Sequence, residues 1–372
     1  MVTFLRPGMG FFKRLSLPLS VVSPFRRESN YLSLDIGSSS IKMLEVRGSD
    51  AGLYVLNAAV SPLPPTAVQN NMIQEPQDVA EAIRLLVENN RVKTKEVVTA
   101  VPGPAVIIKQ VTFPAQPPEN LEETVLFEAG NFIPESLENV NLDYQVIGED
   151  PENGQIEVLL VAVRKDIINS YVDAVTAAGL KPTVVDVDYF ALGNMFEVNY
   201  APQPGEINAL INLGARYSTI NILKGGRSVF TGDVPVGGRQ LTEALMQQLN
   251  LTYEKAEQAK TTGAAAGHTQ EEIEASLASA VYLLLDEIQR ALSFFWTGAA
   301  DEPMHTIYLS GGTAQLPGLA AMMSERLAAP LELVDPFRQI TIGHQVDEGF
   351  LRQNASSLVI SVGLATRRPG DK

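Results

Sequence analysis

Two stretches of the chain share one plan: a strand, a glycine turn rich in hydroxyls, and a second strand. They read Tyr31-Leu-Ser-Leu-Asp35-Ile-Gly37-Ser-Ser-Ser40-Ile-Lys42-Met-Leu-Glu-Val46 and Ala209-Leu-Ile-Asn212-Leu-Gly214-Ala-Arg-Tyr-Ser218-Thr219-Ile-Asn-Ile-Leu223. Glycine permits positive φ and lets backbone N–H groups approach a ligand closely. A concavity of N–H donors edged by hydroxyls and a lysine suits an anion. One such turn in each half of the chain predicts a two-lobed α/β protein that grips the phosphates of one nucleotide between its lobes.

The first turn carries the more specific chemistry. Asp35 stands at its mouth, where a carboxylate can hold Mg²⁺ or a metal-bound water, although turn-capping aspartates are also common. Lys42 lies two residues into the second strand and can reach an anion at the turn. The second turn has Asn212 where the first has Asp35, so it can donate and accept hydrogen bonds but brings no charge. Further donors are predicted at Ser38, Ser39, Ser40, Ser218 and Thr219.

Two glycine pairs stand just before predicted helices, where the backbone can approach a sugar or a base. They are Gly237-Gly238 and Gly311-Gly312. Taken singly, each is also explained as a plain turn. Glu257 and Lys260 share a helix face at i and i+3 and could contact a ribose or an adenine edge. A surface ion pair is the alternative interpretation.

Composition excludes several classes of protein. The 372 residues are enough for two domains, and 45% of them are hydrophobic, without an apolar run long enough to span a membrane. A net charge of −15 argues against a nucleic-acid partner. The absence of cysteine rules out disulfides and thiolate metal sites, and the three scattered histidines give no reason to assign a transition metal.

The first 30 residues differ from the rest in being basic, and three interpretations are open. The run from Leu15 to Val22 faintly resembles a signal peptide, although Pro18 interrupts it. Phe4, Phe11 and Phe12 beside cations would suit a weak membrane-surface anchor. We expect a flexible leader.

The remaining chain divides into segments by pattern. Strands and helices alternate from residue 31 to 200, with a strand–helix–strand–strand module at about 96–164 that is interpreted as an insertion in the first lobe. Ala201-Pro-Gln-Pro-Gly205 is the expected hinge, and a second lobe is expected over 201–366, with a mainly helical part at about 240–300 and a short tail at 367–372. The chain contains neither a P-loop nor a G-x-G-x-x-G fingerprint, and G-x-S-x-G is also absent.

The quoted turns resemble the actin/sugar-kinase superfamily of two-lobed ATP-binding proteins. Within it, the chain is similar to the PilM family of type IV pilus assembly proteins, relatives of the division protein FtsA. The segments that carry this resemblance are Leu34 to Lys42, Ala100 to Gly103, Phe127 to Pro134, Leu142 to Gln145, Leu159 to Ala162, Ala178 to Leu180, Val184 to Val187, Thr219 to Gly226 and Leu309 to Gly312.

The resemblance implies an actin-like ATPase fold of duplicated ribonuclease H-like domains, with a small SHS2-like inserted subdomain. It implies ATP and Mg²⁺ in the cleft, with Asp35 as the metal-side acid and candidate catalytic residue. Gly37 to Ser40 with Lys42 match the first phosphate loop, Gly214 matches the second, and Gly311-Gly312 match the adenosine loop. Because Asn212 replaces the acid usual in the second phosphate loop, we expect at most slow hydrolysis.

The implied partner is PilN, whose cytoplasmic N-terminus binds a groove of the first lobe, together with other inner-membrane components of the pilus machinery. We therefore expect a cytoplasmic scaffold peripheral to the inner membrane and capable of self-association. Two alternatives stay open at this point: a small-metabolite kinase, for which we identify no general base, and an FtsA-like filament former, for which the C-terminus is too short and polar.

Overall fold

The computed structural model describes residues 3–4, 29–49, 52–298 and 303–368. Up to residue 187 the strands are β1 (Thr3–Phe4), β2 (Ser29–Ile36), β3 (Ser40–Ser49), β4 (Gly52–Pro62), β5 (Val68–Gln69), β6 (Met72–Ile73), β7 (Glu96–Val101), β8 (Val106–Pro114), β9 (Val140–Asp150), β10 (Gln155–Arg164) and β11 (Lys181–Val187). The helices up to residue 200 are α1 (Pro76–Asn89), α2 (Pro118–Phe132), α3 (Lys165–Ala177) and α4 (Asp188–Tyr200).

The later strands are β12 (Ile207–Leu213), β13 (Ser218–Lys224), β14 (Arg227–Val234), β15 (Thr306–Ser310), β16 (Leu331–Leu333) and β17 (Thr341–Ile342). The later helices are α5 (Gly238–Leu249), α6 (Tyr253–Thr262), α7 (Gln270–Gly298), α8 (Leu319–Leu327), α9 (Glu348–Asn354) and α10 (Val359–Ala365). Short 3₁₀ turns occupy Gly103–Ala105, Leu137–Asn139, Gly312–Gln315 and Ala355–Ser357.

A seven-stranded sheet, in the order β1-β11-β7-β2-β3-β4-β17, forms the centre of what we call the first lobe. β2 and β3 pair antiparallel, so the first glycine turn is the tip of a hairpin, while β2, β7 and β11 pair in parallel. One face is covered by α1 and α3, whose apolar sides include Ile83, Leu86 and Tyr171. Burial of such side chains is the main favourable term for this layer.

A separate three-stranded antiparallel sheet, β8-β10-β9, follows the first strands of this lobe and carries α2. Its own small core contains Phe113, Leu121, Val125 and Leu160. The turn between β9 and β10 is held by Asp150, whose carboxylate accepts hydrogen bonds from the backbone and side chain of Asn153. An independent cluster of this kind is what allows the segment to stand beside the seven-stranded sheet.

The five-stranded sheet β14-β13-β12-β15-β16, with α5 to α8, forms what we call the second lobe. Its β12–β13 hairpin places the second glycine turn at one end of the sheet. The apolar face of the long helix α7, including Ile273, Leu284 and Ile288, closes the core of this lobe. The lobe therefore repeats the hairpin-plus-helices plan of the first lobe.

The C-terminal segment returns to the first lobe, which differs from the expectation that residues 201–366 form one lobe. β17 pairs in parallel with β4, and α10 packs against α4, β2 and β3. Residue Arg367, expected in a polar tail, is buried and forms an ion pair with Asp186 (Nε–Oδ2 3.3 Å). Every residue of α10 is buried, including Ser361, and its apolar residues share one core cluster with Ala191 of α4 and Leu210 of β12, so this segment belongs to the core between the lobes.

The N-terminal prediction also needs adjustment where it can be compared. Thr3–Phe4 is a strand paired with β11, and Ser29–Asn30 is the beginning of β2, so these residues differ from the expected flexible leader. The signal-peptide run and the anchor residues other than Phe4 fall on residues 5–28, and the end of the expected tail falls on 369–372. Both ranges lie outside the described residues.

Candidate functional site

The first turn is closed by a backbone hydrogen bond of its glycine and flanked by an ion pair across the hairpin. The N–H of Gly37 donates to the carbonyl of Ser40 (3.0 Å), and Asp35 stands directly opposite Lys42 in the register. The Lys42 ammonium lies 3.2 Å from the Asp35 carboxylate, with both side chains largely buried. A Cβ on Gly37 would lie 2.9 Å from that ammonium, so only glycine leaves the lysine in place over the turn.

The second turn has the same backbone geometry with different side chains. The N–H of Gly214 donates to the carbonyl of Tyr217 (3.1 Å), and Asn212 stands opposite Thr219. Thr219 thus occupies the place that Lys42 has in the first turn. Neither member of the Asp–Lys pair has a charged counterpart in the second turn. The side-chain oxygen of Asn212 instead accepts a hydrogen bond from Ser310 Oγ (3.3 Å).

The predicted glycine pairs are brought together by close backbone contact with the second turn. The carbonyl of Gly214 accepts from the N–H of Gly238 and from Thr313 Oγ1, both at 2.9 Å. A Cβ on Gly237 would lie 2.6 Å from that same carbonyl oxygen. Gly311 has φ +93°, and a Cβ there would lie 2.6 Å from the carbonyl carbon of Leu213. These glycines are required because the backbones touch.

Gly312 differs from the other glycines of this cluster because space is open beside it. No heavy atom of the described residues lies within 4 Å of a Cβ placed there. Its neighbour Gly311 is fixed on both sides, with its N–H donating to the Ser356 carbonyl (2.7 Å) and its carbonyl accepting from Ser356 Oγ (2.8 Å). A fixed backbone beside open space can lie against a flat ligand surface.

Lys260 is not part of a surface ion pair. It is buried, and its ammonium donates to Glu257 (2.7 Å), Thr242 Oγ1 (2.9 Å) and the carbonyl of Gly238 (3.2 Å). Burial lowers the pKa of Lys260, against the opposing effect of Glu257. Lys260 therefore joins α6 to the start of α5, beside Gly237-Gly238. The ion pair between Glu257 and Lys260 stabilises this junction.

Both turns line one cavity of about 340 Å³ between the lobes. The first turn contributes Gly37 and Ser38, and the second contributes Arg216 and Tyr217. Arg216 Nε is buried without a hydrogen-bond partner among the described residues. A buried guanidinium donor without a partner, in a cavity that Ser38 also lines, fits an anionic ligand such as a polyphosphate.

A buried carboxylate that the sequence interpretation missed lies behind this cavity. Asp188 is the first residue of α4, and its carboxylate joins the lobes. It accepts from the N–H of Gly103 (2.9 Å) in the first lobe, and from Tyr217 Oη (3.0 Å) and Thr219 Oγ1 (3.4 Å) in the second. We call Asp188 with these three donors the interlobe clasp.

A second interlobe contact adjoins the clasp. Tyr189 donates from its hydroxyl to Asp233, and Asp233 also lines the cavity. Burial, followed by the charge of Asp233, raises the pKa of Asp188 to about 8. Burial likewise raises the pKa of Asp233 to about 6, despite the hydrogen bond from Tyr189. The only sequence signal for this cluster was a pair of acids, Asp186 and Asp188, at a strand–helix junction.

The clasp makes stability depend on pH. Because the folded-state pKa of Asp188 is raised above 3.8, the folded protein holds a proton that the unfolded chain releases, and stability falls as pH rises toward 8. Between pH 6 and 8 we expect a loss of about 2 kcal/mol in the free energy of unfolding from this group. In the D188N variant, the free energies of unfolding that urea titration gives at the two pH values should lie closer together by that amount.

The control is D150N, which changes an exposed aspartate in the β9–β10 turn. Its pH profile should match that of the unchanged protein between pH 6 and 8. A D188N profile as steep as that of the unchanged protein would show that Asp188 is not the titrating group.

The predicted metal role of Asp35 is compatible with the donor set. No group of three or more His, Asp or Glu side chains able to hold a metal ion occurs among the described residues. Mg²⁺ in nucleotide sites, however, is commonly held by one or two carboxylates together with phosphate oxygens and waters. Asp35 directly precedes the cavity-lining residues Ile36 and Gly37, so its carboxylate would fit that pattern as a ligand of the ion or as the acceptor of a metal-bound water.

Comparison with known proteins decides the family. A family model described as type IV pilus assembly protein PilM matches residues 33–369. The chain belongs to the PilM family. A solved PilM–PilN type IV pilus biogenesis complex is similar at 28% identity and a TM-score of 0.81, covering 92% of this chain and 99% of that chain.

More distant relatives agree on the fold. The ethanolamine utilization protein EutJ from Carboxydothermus hydrogenoformans aligns with a TM-score of 0.55 at 15% identity, over 93% of this chain and 92% of that one. The cell division protein FtsA of Staphylococcus epidermidis is 23% identical over 63% of this chain and 54% of its own length. The chain thus spans about half the length of the curated relatives it matches. The predicted actin-like ATPase fold is confirmed.

The expectation about membrane spans can also be compared with the structure. Within the described residues of this PilM-family chain, no helix combines the length and the apolar character that crossing a bilayer requires.

Proposed function

We propose that this PilM-family chain is an ATP-binding scaffold of the type IV pilus inner-membrane assembly platform. The observation that carries the nucleotide half of the proposal is the single cavity lined by both glycine turns, with Gly37 on one side and Arg216 on the other. The partner half rests on the likeness to a protein solved in complex with PilN. The proposed partner is the cytoplasmic N-terminal peptide of PilN, which would hold the scaffold at the cytoplasmic face of the inner membrane.

Gly37, Ser38 and Arg216 line the cavity, and the other predicted site residues, which lie outside its lining, have proposed roles beside them in holding Mg-ATP. The hydroxyls of Ser38, Ser39 and Ser40 with Lys42 would take phosphate oxygens from the first lobe, and Arg216 would take them from the second, with Gly37 and Gly214 shaping the two turns. Asp35 would hold the Mg²⁺ side. The glycine pairs and the wall built on Lys260 and Glu257 would face the nucleoside. When bound, Mg-ATP would supply a charge bridge that links the two lobes.

The interlobe clasp gives a physical route from nucleotide to partner. Tyr217 belongs both to the cavity wall and to the clasp, so a ligand that moves the second turn also moves the hydrogen bonds of Asp188. A ligand shifts such an equilibrium only by its differential affinity for the two lobe arrangements. We therefore propose that nucleotide sets the angle between the lobes and thereby the affinity for the peptide.

We propose that this site hydrolyses ATP slowly at most. Neither Asn212 nor Thr219 of the second turn supplies a carboxylate or an ammonium, and Asn212 is engaged with Ser310. The carboxylate that the second lobe does bring to the cavity, Asp233, accepts a hydrogen bond from Tyr189. Positioning of an attacking water commonly depends on such a group. We therefore also propose that the nucleotide is retained and acts mainly as a structural ligand.

The proposal is tested by asking what the purified protein carries and what that does. Mass spectrometry of the supernatant after denaturation should identify an adenine nucleotide. Calorimetry with a synthetic N-terminal PilN peptide should give different affinities with and without nucleotide. R216Q should retain less nucleotide, because the orphaned guanidinium is lost, whereas the exposed-site control R352Q should retain as much as the unchanged protein. Identical peptide affinities in the two states would contradict the coupling.

A further inference from the structure

A second cavity, of about 540 Å³, lies in the first lobe and shares no lining residue with the cavity between the lobes. It forms where three distant segments meet: the later half of β4, the end of α1, and residues 345–350, which lead into α9. The return of the C-terminal segment to the first lobe therefore builds one wall of this cavity. None of the residues proposed to hold nucleotide lines it.

Three carboxamides on the wall of this cavity have their NH₂ groups turned onto acceptors of the protein. Asn90 Nδ2 donates to the carbonyl of Leu86 (2.8 Å), and Gln345 Nε2 donates to the carbonyl of Leu56 (3.2 Å). Asn57 Nδ2 donates to a buried carboxylate. Since carbonyl and carboxylate oxygens only accept, each amide must turn its nitrogen toward them. The amide oxygens of all three side chains are left without a donor among the described residues.

The carboxylate behind Asn57 belongs to Glu45, which is 4% exposed. It accepts hydrogen bonds from Asn57 Nδ2 and from Thr94 Oγ1 (2.6 Å), both of which are neutral donors. No lysine or arginine of the described chain forms an ion pair with it. A carboxylate buried without a cation is costly and strengthens the attraction for any cation nearby. The wall that Asn57 forms is therefore electronegative.

Two further groups make other walls of the cavity electronegative. Asp347 lines it, and only Oδ1 of its carboxylate has a donor within the described residues, the N–H of Phe350 (3.1 Å). α1 ends at the cavity with Leu86 and Asn89, and its last turn contains no basic residue to offset the negative end of the helix dipole. The lining that the structure describes contains no lysine, arginine or histidine.

The rest of the lining is mostly apolar. It includes Val60, Leu85, Val346 and Phe350, and Leu85 is 46% exposed although it lies beside the oriented amides. Apolar side chains next to acceptor oxygens suit a ligand that joins an aliphatic stem to a hydrogen-bond donor head. An electronegative surround favours a positively charged head.

We propose that this cavity is a binding site for an organic cation, a guanidinium or ammonium group carried on an aliphatic stem. The head would donate to the three free carboxamide oxygens beside the Asp347 carboxylate, and the stem would lie against Leu85. A guanidinium should be preferred to an ammonium, because its five N–H donors lie in one plane and can serve several acceptors together. A free cation and an arginine side chain of a peptide share this chemistry. The site goes beyond the proposed nucleotide function and does not depend on it.

The first test titrates the unchanged full chain with n-butylguanidinium and with n-butylurea, an uncharged analogue of similar shape, in saturation-transfer NMR. Charge-assisted hydrogen bonds are stronger than neutral ones, so we expect the cation to bind at least about tenfold more tightly than the urea. Equal affinities would overturn the proposal. The tripeptide N-acetyl-Gly-Arg-Gly-amide distinguishes the sources: tighter binding than n-butylguanidinium would indicate a peptide side chain, and weaker binding a free cation.

The D347N variant tests the charge at the cavity without removing a helix cap. Asp347 caps α9, and asparagine caps helices about as well as aspartate does, so the fold should be retained. We expect n-butylguanidinium to bind about three- to fivefold more weakly to D347N. The D150N control also changes an exposed aspartate that accepts a backbone N–H, and it should bind like the unchanged protein. Full affinity in D347N, or an equal loss in D150N, would overturn the assigned site.

The L85K variant tests the cavity from the other side, by supplying a tethered ammonium. A side chain that occupies the site from within the same chain competes at high effective concentration, so added n-butylguanidinium should bind at least about tenfold more weakly. The fold should be retained, because Leu85 is partly exposed and a cation near the C-terminal end of α1 is favourable. Leu283 is also helical and 46% exposed but lies in the second lobe, so L283K should keep the affinity. Unchanged binding by a folded L85K protein would overturn the proposal.

The two cavities are separated by exchanging their variants. R216Q should lose nucleotide and bind n-butylguanidinium like the unchanged protein, whereas L85K should lose the cation and retain nucleotide. Loss of cation binding in a folded R216Q protein would place the cation in the interlobe cavity and overturn the second site. A purified protein without nucleotide that still binds the cation would contradict the proposed function alone.

Discussion

The G363A variant should fail to accumulate as folded protein. Gly363 lies in α10 where this helix crosses α4, and a Cβ there would overlap the carbonyl of Ala191 and lie 2.9 Å from its Cα. All of these atoms are backbone in the core between the lobes, so relief requires moving α4 as a whole. Overpacking of this kind costs more than about 3 kcal/mol, a large share of the ~5–15 kcal/mol that folded domains have. Soluble yield and the thermal midpoint measure the loss.

The matched control is G130A in α2. Gly130 is also helical, but no heavy atom of the described residues lies within 4 Å of a Cβ placed there, and the residue is exposed. Alanine is the better helix former by about 0.5–1 kcal/mol, so G130A should melt at the same temperature or slightly higher. A G363A protein that melts within a few degrees of the unchanged one would contradict the packing of α10 against α4.

Movement of α4 would reach the functional site, because the helix begins with the clasp residue Asp188 and ends near the interlobe aromatic contacts. Phe196 and Tyr200 of α4 stack on each other and meet Tyr308 of β15 edge to face. The same helix thus carries core packing, the clasp and contacts to both sheets. Its position determines how the first turn faces the second.

The parts of the fold that could be predicted from sequence are those fixed by local spacing. The two hairpins were predictable because Asp35 and Asn212, and Lys42 and Thr219, hold equal places about a glycine turn, and strand pairing then fixes their register. The small sheet β8-β10-β9 was predictable as part of the strand–helix–strand–strand module at about 96–164. Long helices such as α7 followed from the apolar period of their residues.

The parts that could not be predicted depend on contacts between distant segments. Nothing local distinguishes Lys260 as buried, because its burial follows from the carbonyl of Gly238 and the hydroxyl of Thr242 on another helix. Asp188 has the local pattern of a helix cap, and its interlobe role appears only when Tyr217 approaches it. The return of β17 and α10 to the first lobe likewise reflects tertiary pairing.

Arg216 was missed for a different reason. It stands within the second glycine turn, so its position was known, but the sequence pattern ranked hydroxyls and glycines above it. In the structure its Nε is buried at the cavity and lacks a partner among the described residues. The positive charge that Lys42 supplies to the first turn is thus supplied to the second by the turn's own arginine, three residues before Thr219. Each glycine turn therefore has one nearby cationic side chain, but at a different position relative to the glycine.

The D35N variant should lose the Mg²⁺ dependence of nucleotide binding. Without metal, the Asp35 carboxylate neutralises Lys42 at 3.2 Å, and with Mg²⁺ it would serve the cation while Lys42 turns to phosphate. In Mg²⁺ we expect the affinity of D35N for ATP to fall about 100-fold, or ~2.7 kcal/mol. In EDTA its affinity should equal or exceed that of the unchanged protein, because Lys42 is no longer neutralised. Calorimetry in both buffers gives the two ratios.

Its companion K42M removes the cation instead of the acid and should therefore weaken ATP binding in both buffers. D150N, which changes an exposed acid far from the turn, serves as the charge-matched control and should keep the affinity and the metal dependence of the unchanged protein. The decisive quantity is the ratio of affinities with and without Mg²⁺, because a general loss of stability lowers both values together. A D35N protein that retains the full ratio would place the metal elsewhere, and loss of affinity in EDTA as well as in Mg²⁺ would show that Asp35 acts only by holding the turn.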